Sequence, residues 1–163
     1  MPKEGEEPSM LRWLGLATLV IFLDQISKLS ISHHFHYGES LGVTGFFSLV
    51  LAHNQGAAFS FLDHAGGWQR WMFSGIALIA SIWIIWLIHK HHEQKLFCFA
   101  MAMILGGALG NLIDRIAYGY VVDFLYFYWN THDFPAFNLA DSAITCGAAI
   151  LLWDNLANKP ETT

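Results

Sequence analysis

The chain has 163 residues, 55% of them hydrophobic and 13% charged, with a mean hydropathy of +0.40 and a formal charge of −5. That composition excludes an ordinary soluble domain. The acidic residues are scattered and no basic stripe is present, which argues against a nucleic-acid partner.

A bilayer-crossing helix needs about 20 mostly apolar residues. Four stretches meet that length, and they predict four transmembrane helices over residues 11–31, 71–88, 96–117 and 137–156. The first follows an acidic leader, carries Asp24 and Lys28, and offers no convincing cleavage site, so it is read as a span and not as a removed signal peptide. Residues 1–9 and 158–163 are expected to be loose tails. The whole chain is expected to form one membrane-embedded domain.

Four spans put both termini on one side. Lys3, Arg12, Lys90, Lys95 and Lys159 flank that side, against Lys28, Arg70 and Arg115 on the other. By the positive-inside rule the termini are expected in the cytoplasm, with residues 32–70 and 118–136 outside. The longer outer segment holds two apolar runs, Phe46–His53 and Ala57–Phe61, around the turn-like Asn54-Gln55-Gly56, which suggests a small hairpin or curved sheet. Trp68 and Trp71 bracket Arg70 where the chain re-enters the membrane.

Cys98 and Cys146 each fall inside an apolar run and read as packing residues, not as a disulfide or zinc framework. His89, His91 and His92 read as a solvated basic loop. Gly106 and Gly110 have the spacing of close helix packing. Asp63, Asp133 and Asp154 are expected to be solvated.

The chemistry is expected at Asp123 and Asp141. An ionisable residue in a membrane setting is costly and marks a functional site by default. Asp141 lies about one turn inside the fourth span, roughly 6 Å below its outer end at 1.5 Å per residue. Asp123 follows the outer end of the third span, so both carboxylates can meet at the outer boundary. Two close carboxylates share one proton, the arrangement of aspartic proteases, and no metal is needed. A proton relay, an ion site in a small transporter and a non-catalytic scaffold remain alternatives from spacing alone. The absence of a visible inverted repeat counts against transport. Asn111, Asp114 and Arg115 share a helix face, as do Asn138, Asp141, Ser142 and Thr145. Asp24 and Lys28, four apart, read as a helix-end ion pair with Lys28 snorkelling toward water. Arg115 reads equally well as a snorkelling anchor or a site residue.

Five ordered blocks carry a resemblance. They are Phe22-Leu23-Asp24-Gln25-Ile26-Ser27-Lys28, His53-Asn54-Gln55-Gly56-Ala57-Ala58-Phe59-Ser60, Gly106-Gly107-Ala108-Leu109-Gly110-Asn111-Leu112-Ile113-Asp114-Arg115, Val121-Val122-Asp123-Phe124 and Phe137-Asn138-Leu139-Ala140-Asp141-Ser142. Together they resemble bacterial lipoprotein signal peptidase, also called signal peptidase II, over about residues 11–156. The resemblance implies a monomeric, cofactor-free aspartic endopeptidase of the cytoplasmic (inner) membrane, with its site near the outer face and lipid around its spans. Its substrate would be a diacylglyceryl-modified prolipoprotein, cut just before the lipid-modified cysteine. It also implies that Asp123 and Asp141 are the catalytic pair. Asn54, Gly56, Asn111, Arg115 and Asn138 would line the site and hold substrate, and Asp24, Lys28 and Asp114 would support it. The segment around residues 40–61 would form a small sheet that cradles the substrate.

Overall fold

The computed structural model describes residues 10–56 and 67–157. The expected tails, Lys3, Lys159, Asp63 and the second half of the expected hairpin lie outside these residues. Four helices and four strands alternate in pairs: α1 (Met10–His34), β1 (Ser40–Thr44), β2 (Phe47–Asn54), α2 (Trp68–Lys90), α3 (Lys95–Ala117), β3 (Val121–Trp129), β4 (His132–Phe137) and α4 (Leu139–Ala157). The chain is therefore mainly helical, with a small antiparallel sheet.

Among the described residues, α1, α2 and α3 are long and apolar enough to cross a membrane. Twenty-three residues rise about 35 Å, more than a hydrocarbon core of about 30 Å. Side chains such as Leu19, Phe22, Leu23 and Ile26 of α1 and Ile79, Ile82, Trp83 and Trp86 of α2 point outward. Outward apolar faces of this extent suit lipid. α4 is shorter, and Asp141, Ser142, Asp154 and Asn155 dilute its apolar character. It begins two residues later than expected, because Phe137 ends β4 and Asn138 precedes the helix.

α3 is the central helix and packs against the other three. Glycine makes this possible. A Cβ on Gly106 would meet Val20 Cβ at 2.6 Å, and one on Gly107 would run into the Ala140 carbonyl and, at 2.7 Å, Ile144 Cγ1. On α4, a Cβ at Gly147 would lie 2.6 Å from Ala100 O. Backbones approach closely where a side chain is absent, the small-residue packing of membrane helices. A buried cluster of Ala17, Ile84, Ile88, Cys98, Ala102 and Leu105 joins α1, α2 and α3.

The sheet differs from the expected hairpin. β2 pairs with β1 across a tight turn at Gly45 and Phe46, and its other edge pairs with β3. The order is β1-β2-β3-β4, antiparallel throughout. Residues 118–136, expected only as an outer segment, supply half of this sheet. Gly119 at φ 87 turns the chain out of α3 into β3, and Asn130 at φ 52 turns β3 into β4. Ile31 of α1 packs under the sheet with Leu51, Val122 and Phe124.

Gly107→Ala should force α3 and α4 apart and lower stability by about 1–3 kcal/mol. Gly15→Ala, where nothing lies within 4 Å of an added Cβ, should leave the midpoint of thermal unfolding in detergent unchanged or slightly higher. Equal midpoints for the two variants would contradict this account of the α3–α4 contact.

Candidate active site

Sheet register places Asp123. It lies opposite Ala52, and Asn54 lies opposite Val121. Side chains alternate faces along a strand, so Asn54 and Asp123 share a face as diagonal neighbours. Asn54 Nδ2 donates to Asp123 Oδ2 at 3.1 Å, while Asn54 Oδ1 accepts from Gly56 N at 2.9 Å and closes the turn after β2. Asp123 itself is only 2% exposed.

A helix cap places Asp141. Asn138 Oδ1 accepts from Asp141 N at 2.9 Å, and the Asp141 carboxylate reaches back to Asn138 N at 3.3 Å. This is a reciprocal capping box, with Asn138 as the cap and Asp141 at the third helical position. A carboxylate there also meets the positive end of the helix dipole. Asp141 is half-buried and lines a cavity of about 340 Å³. Asn54, Phe134, Phe137, Ser142, Thr145 and Cys146 contribute to the same cavity.

Asn138 joins the two carboxylates. Its Nδ2 donates to Asp123 Oδ1 at 2.7 Å while its other groups hold Asp141. Asn111 donates to Asp141 Oδ1 at 2.8 Å. Asn54, Asn111 and Asn138 thus turn their amides toward carboxylates of this chain. Burial first, then the neighbouring Asp141 charge, push the Asp123 carboxyl up to about 7, against the hydrogen bonds from Asn54 and Asn138 and the charge of Lys28.

The support lies beneath. Lys28 Nζ is 2.8 Å from Asp24 Oδ2 and 2.9 Å from Asp114 Oδ2. Lys28 is 3% exposed, so the ion pair forms but the expected snorkelling does not. The physical reason is the second carboxylate from α3, which gives the ammonium a buried partner in place of water. Asp114 Oδ2 also accepts from Val122 N at 3.1 Å, and Asp24 Oδ1 accepts from Ala140 N at 2.9 Å. Those two amides immediately precede Asp123 and Asp141. Gln25, given no role in the sequence reading, donates to Asp114 Oδ1 at 2.9 Å and Asp24 Oδ2 at 3.2 Å. Its signal was available: a polar residue beside Asp24 in an apolar span.

Arg115 lies over the Phe73 ring and donates from Nη2 to Gly56 O at 3.1 Å. Its Nε is buried without a hydrogen-bond partner. Arg70 donates to Ile116 O at 2.8 Å near the end of α3. Lys28, Arg70 and Arg115, the minority in the charge count, are therefore all engaged by groups of this chain, and Lys28 is buried. Cys98 is buried and packs as expected, whereas Cys146 is exposed. It sits on the cavity wall, so the packing reading fails there. Among the described residues no cluster of three or more His, Cys, Asp or Glu side chains forms a metal site.

The model of the Signal peptidase (SPase) II family matches residues 16–157. The chain belongs to that family. A lipoprotein signal peptidase of Ralstonia nicotianae is 58% identical over 154 residues, covering 94% of this chain and 89% of the relative. One from Azoarcus sp. (strain BH72) is 50% identical, covering 96% and 93%. A bacterial membrane enzyme solved by the in meso method at 2.3 Å resolution superposes with a TM-score of 0.80 at 31% identity, covering 93% of each chain. A second such structure, at 1.9 Å, gives 0.79 at 30% identity. The protein is thus a bacterial membrane peptidase, and the transporter and scaffold alternatives lose their ground.

Two substitutions at Asn138 separate cap from bridge. Asn138→Ala should cost about 0.5–2 kcal/mol as a lost cap and abolish most activity. Asn138→Ser should recover only the cap's share of the thermal midpoint, and not the activity, because serine is too short to reach Asp123. Full activity in Asn138→Ser would show that the bridge to Asp123 is dispensable.

Proposed function

We propose that this peptidase removes the signal peptide from diacylglyceryl-modified prolipoproteins as an aspartic endopeptidase, cutting just before the lipid-modified cysteine. The observation that carries this reading is the pair Asp123 and Asp141, joined through Asn138, with one carboxyl buried and the other facing a cavity. The relatives are named lipoprotein signal peptidases, which supports the substrate class.

Each carboxyl takes its role from its surroundings. Asp123, raised to about 7, holds the shared proton below that pH. With Asp123 neutral, three carboxylates (Asp24, Asp114 and Asp141) face two cations, Lys28 and Arg115. Ionising Asp123 would add a second uncompensated negative charge, which low dielectric makes costly. Asp141 is then the base. It removes a proton from water as the water oxygen bonds to the scissile carbonyl carbon. Asp123 gives its proton to the carbonyl oxygen, forming a neutral tetrahedral intermediate. On collapse the C–N bond breaks, Asp141 returns its proton to the leaving cysteine nitrogen, and Asp123 recovers the hydroxyl proton. Both carboxyls end as they began.

Substrate would lie along the cavity between β4 and α4, with its apolar residues against Phe134 and Phe137. Arg115 would serve substrate binding through the turn after β2, since its guanidinium does not line the cavity. Gly56, whose carbonyl Arg115 already holds, fixes the turn beside it. The whole chain forms a single domain acting as a monomer, with lipid against its helices. α4 is the fourth span, its 19 residues rising about 28 Å. The termini are cytoplasmic and the pair faces the outer side.

The direct test is a gel-shift assay with purified protein and a diacylglyceryl-modified prolipoprotein. Asp123→Asn and Asp141→Asn should each lower cleavage by about 10²–10⁴-fold with folding intact. Wild-type turnover by either variant would remove the pair from the mechanism. The pH profile of kcat/KM should be bell-shaped. Asp123 has a raised value, so its proton is present below about pH 7 and lost above it. Activity should therefore fall as pH rises through about 7, and fall again in acid when the second carboxylate takes a proton. Both limbs belong to the pair. A profile without an alkaline limb would contradict the acid role of Asp123.

A further inference from the structure

The third contact of Lys28 is the informative one. Besides Asp24 and Asp114, its ammonium lies 2.9 Å from Asn111 Oδ1. An ammonium has three donors and no acceptor, so each of its hydrogens has a buried acceptor here. Two aspartates already explain why Lys28 is buried. They do not require the amide.

What the ammonium does to Asn111 follows from the chemistry of a primary amide. One end accepts and the other donates, and its neighbours decide which way it sits. Lys28 offers only donors, so Asn111 must turn its carbonyl toward α1. Asn138 Nδ2 donates to the same oxygen at 3.2 Å and reinforces that direction. The amino end is thereby left facing Asp141 Oδ1, at 2.8 Å. A carboxylate is welcome there, whereas a protonated carboxyl oxygen would meet a donor with a donor.

We propose that Lys28 is a positioning residue for the reaction: by holding Asn111 Oδ1 it fixes the direction of that amide, so that Asp141 always meets a donor and stays the base while Asp123 keeps the proton. This rests on the aspartic mechanism proposed above. Without the ammonium the amide can reverse and present its carbonyl to Asp141, where it accepts a hydrogen bond from a protonated carboxyl. The proton then has a second comfortable position, on the wrong residue. The loss of charge works in the same direction. Asp141 faces Asp123 from β3, Arg115 from α3, and Asp24 and Lys28 from α1, with Asp114 acting on Arg115. Removing one cation from that set favours protonation at the pair.

The test is the pH profile of lipoprotein cleavage by Lys28→Met. The acid limb of kcat/KM should move up by about one pH unit, with the loss in kcat and not in KM. Lys28→Arg restores cation and donor, and should bring the limb back toward wild type. Asn111→Leu should reproduce the shifted limb, and the double variant Lys28→Met/Asn111→Leu should shift it no further. Where Lys28→Met does not fold, Lys28→Met/Asp114→Asn removes the cation together with one counter-charge. Its profile is then compared with that of Asp114→Asn alone. A merely structural lysine would lower the yield of folded enzyme and leave the limbs of the active fraction unmoved, and that result would overturn the proposal. Additive shifts in the double variant would overturn the route through Asn111. Undiminished cleavage by Asp141→Asn would instead sink the underlying mechanism, so the two failures can be told apart.

Discussion

One buried ammonium organises the region where helices give way to sheet. Lys28 sits between Asp24 and Asp114, and each aspartate also accepts from a backbone amide, Ala140 N or Val122 N. α4 and β3 are thus tethered to the same three charges, one residue before Asp141 and one residue before Asp123. Burying three ions costs free energy, which mutual attraction and full hydrogen bonding must offset. Gln25 supplies that completeness by donating to both carboxylates. Gly110 makes room for it, since a Cβ there would lie 2.6 Å from Asp24 Oδ2. Helix contact and ion cluster are therefore one design, and removing Lys28 would leave two buried carboxylates without their cation.

The two paired carboxyls are delivered by different kinds of structure. Asp123 comes from a strand whose pairing with β2 sets its face and sets Asn54 beside it. Asp141 comes from a helix whose first turn is closed by its own side chain and Asn138. A strand fixes facing by period two and a cap fixes position by hydrogen bonding. Asn138 needs both, because its amide reaches across from the helix to the strand. The group that ends β4 and starts α4 is also the group that joins the two carboxyls by hydrogen bonds.

Much of this was legible in the sequence, for local reasons. Charge-free runs mark α2 and most of α3, and carboxylates beside such runs are conspicuous because they are costly. The sheet was less legible because strand pairing is not local. Tyr120-Val121-Val122-Asp123-Phe124-Leu125-Tyr126-Phe127-Tyr128-Trp129 is rich in β-branched and aromatic residues, a strand signal, but nothing local names its partner. β2 was recognised, but its partners are Ser40–Thr44 and Val121–Trp129, one of them nearly seventy residues away. Lys28 shows the same limit. On one helix, a lysine near the membrane boundary is best served by water. Only the packing of α1 on α3 brings Asp114 within reach and reverses that preference.

The position of the pair resolves a conflict between two needs of a hydrolase in a membrane. Water must reach the scissile bond, yet the electrostatics that separate acid from base strengthen only where water is excluded. Here the two needs are met on opposite sides of the same residues. Asp141 and Asn54 face the cavity, while Asp123, Asn111 and Asn138 are buried behind them and Asp24, Lys28 and Asp114 are buried where α1 packs on α3. In the proposed mechanism, the proton on the buried side and the base on the open side are kept apart by their surroundings. That gradient of burial, set by helix packing below and sheet above, distinguishes two chemically identical side chains.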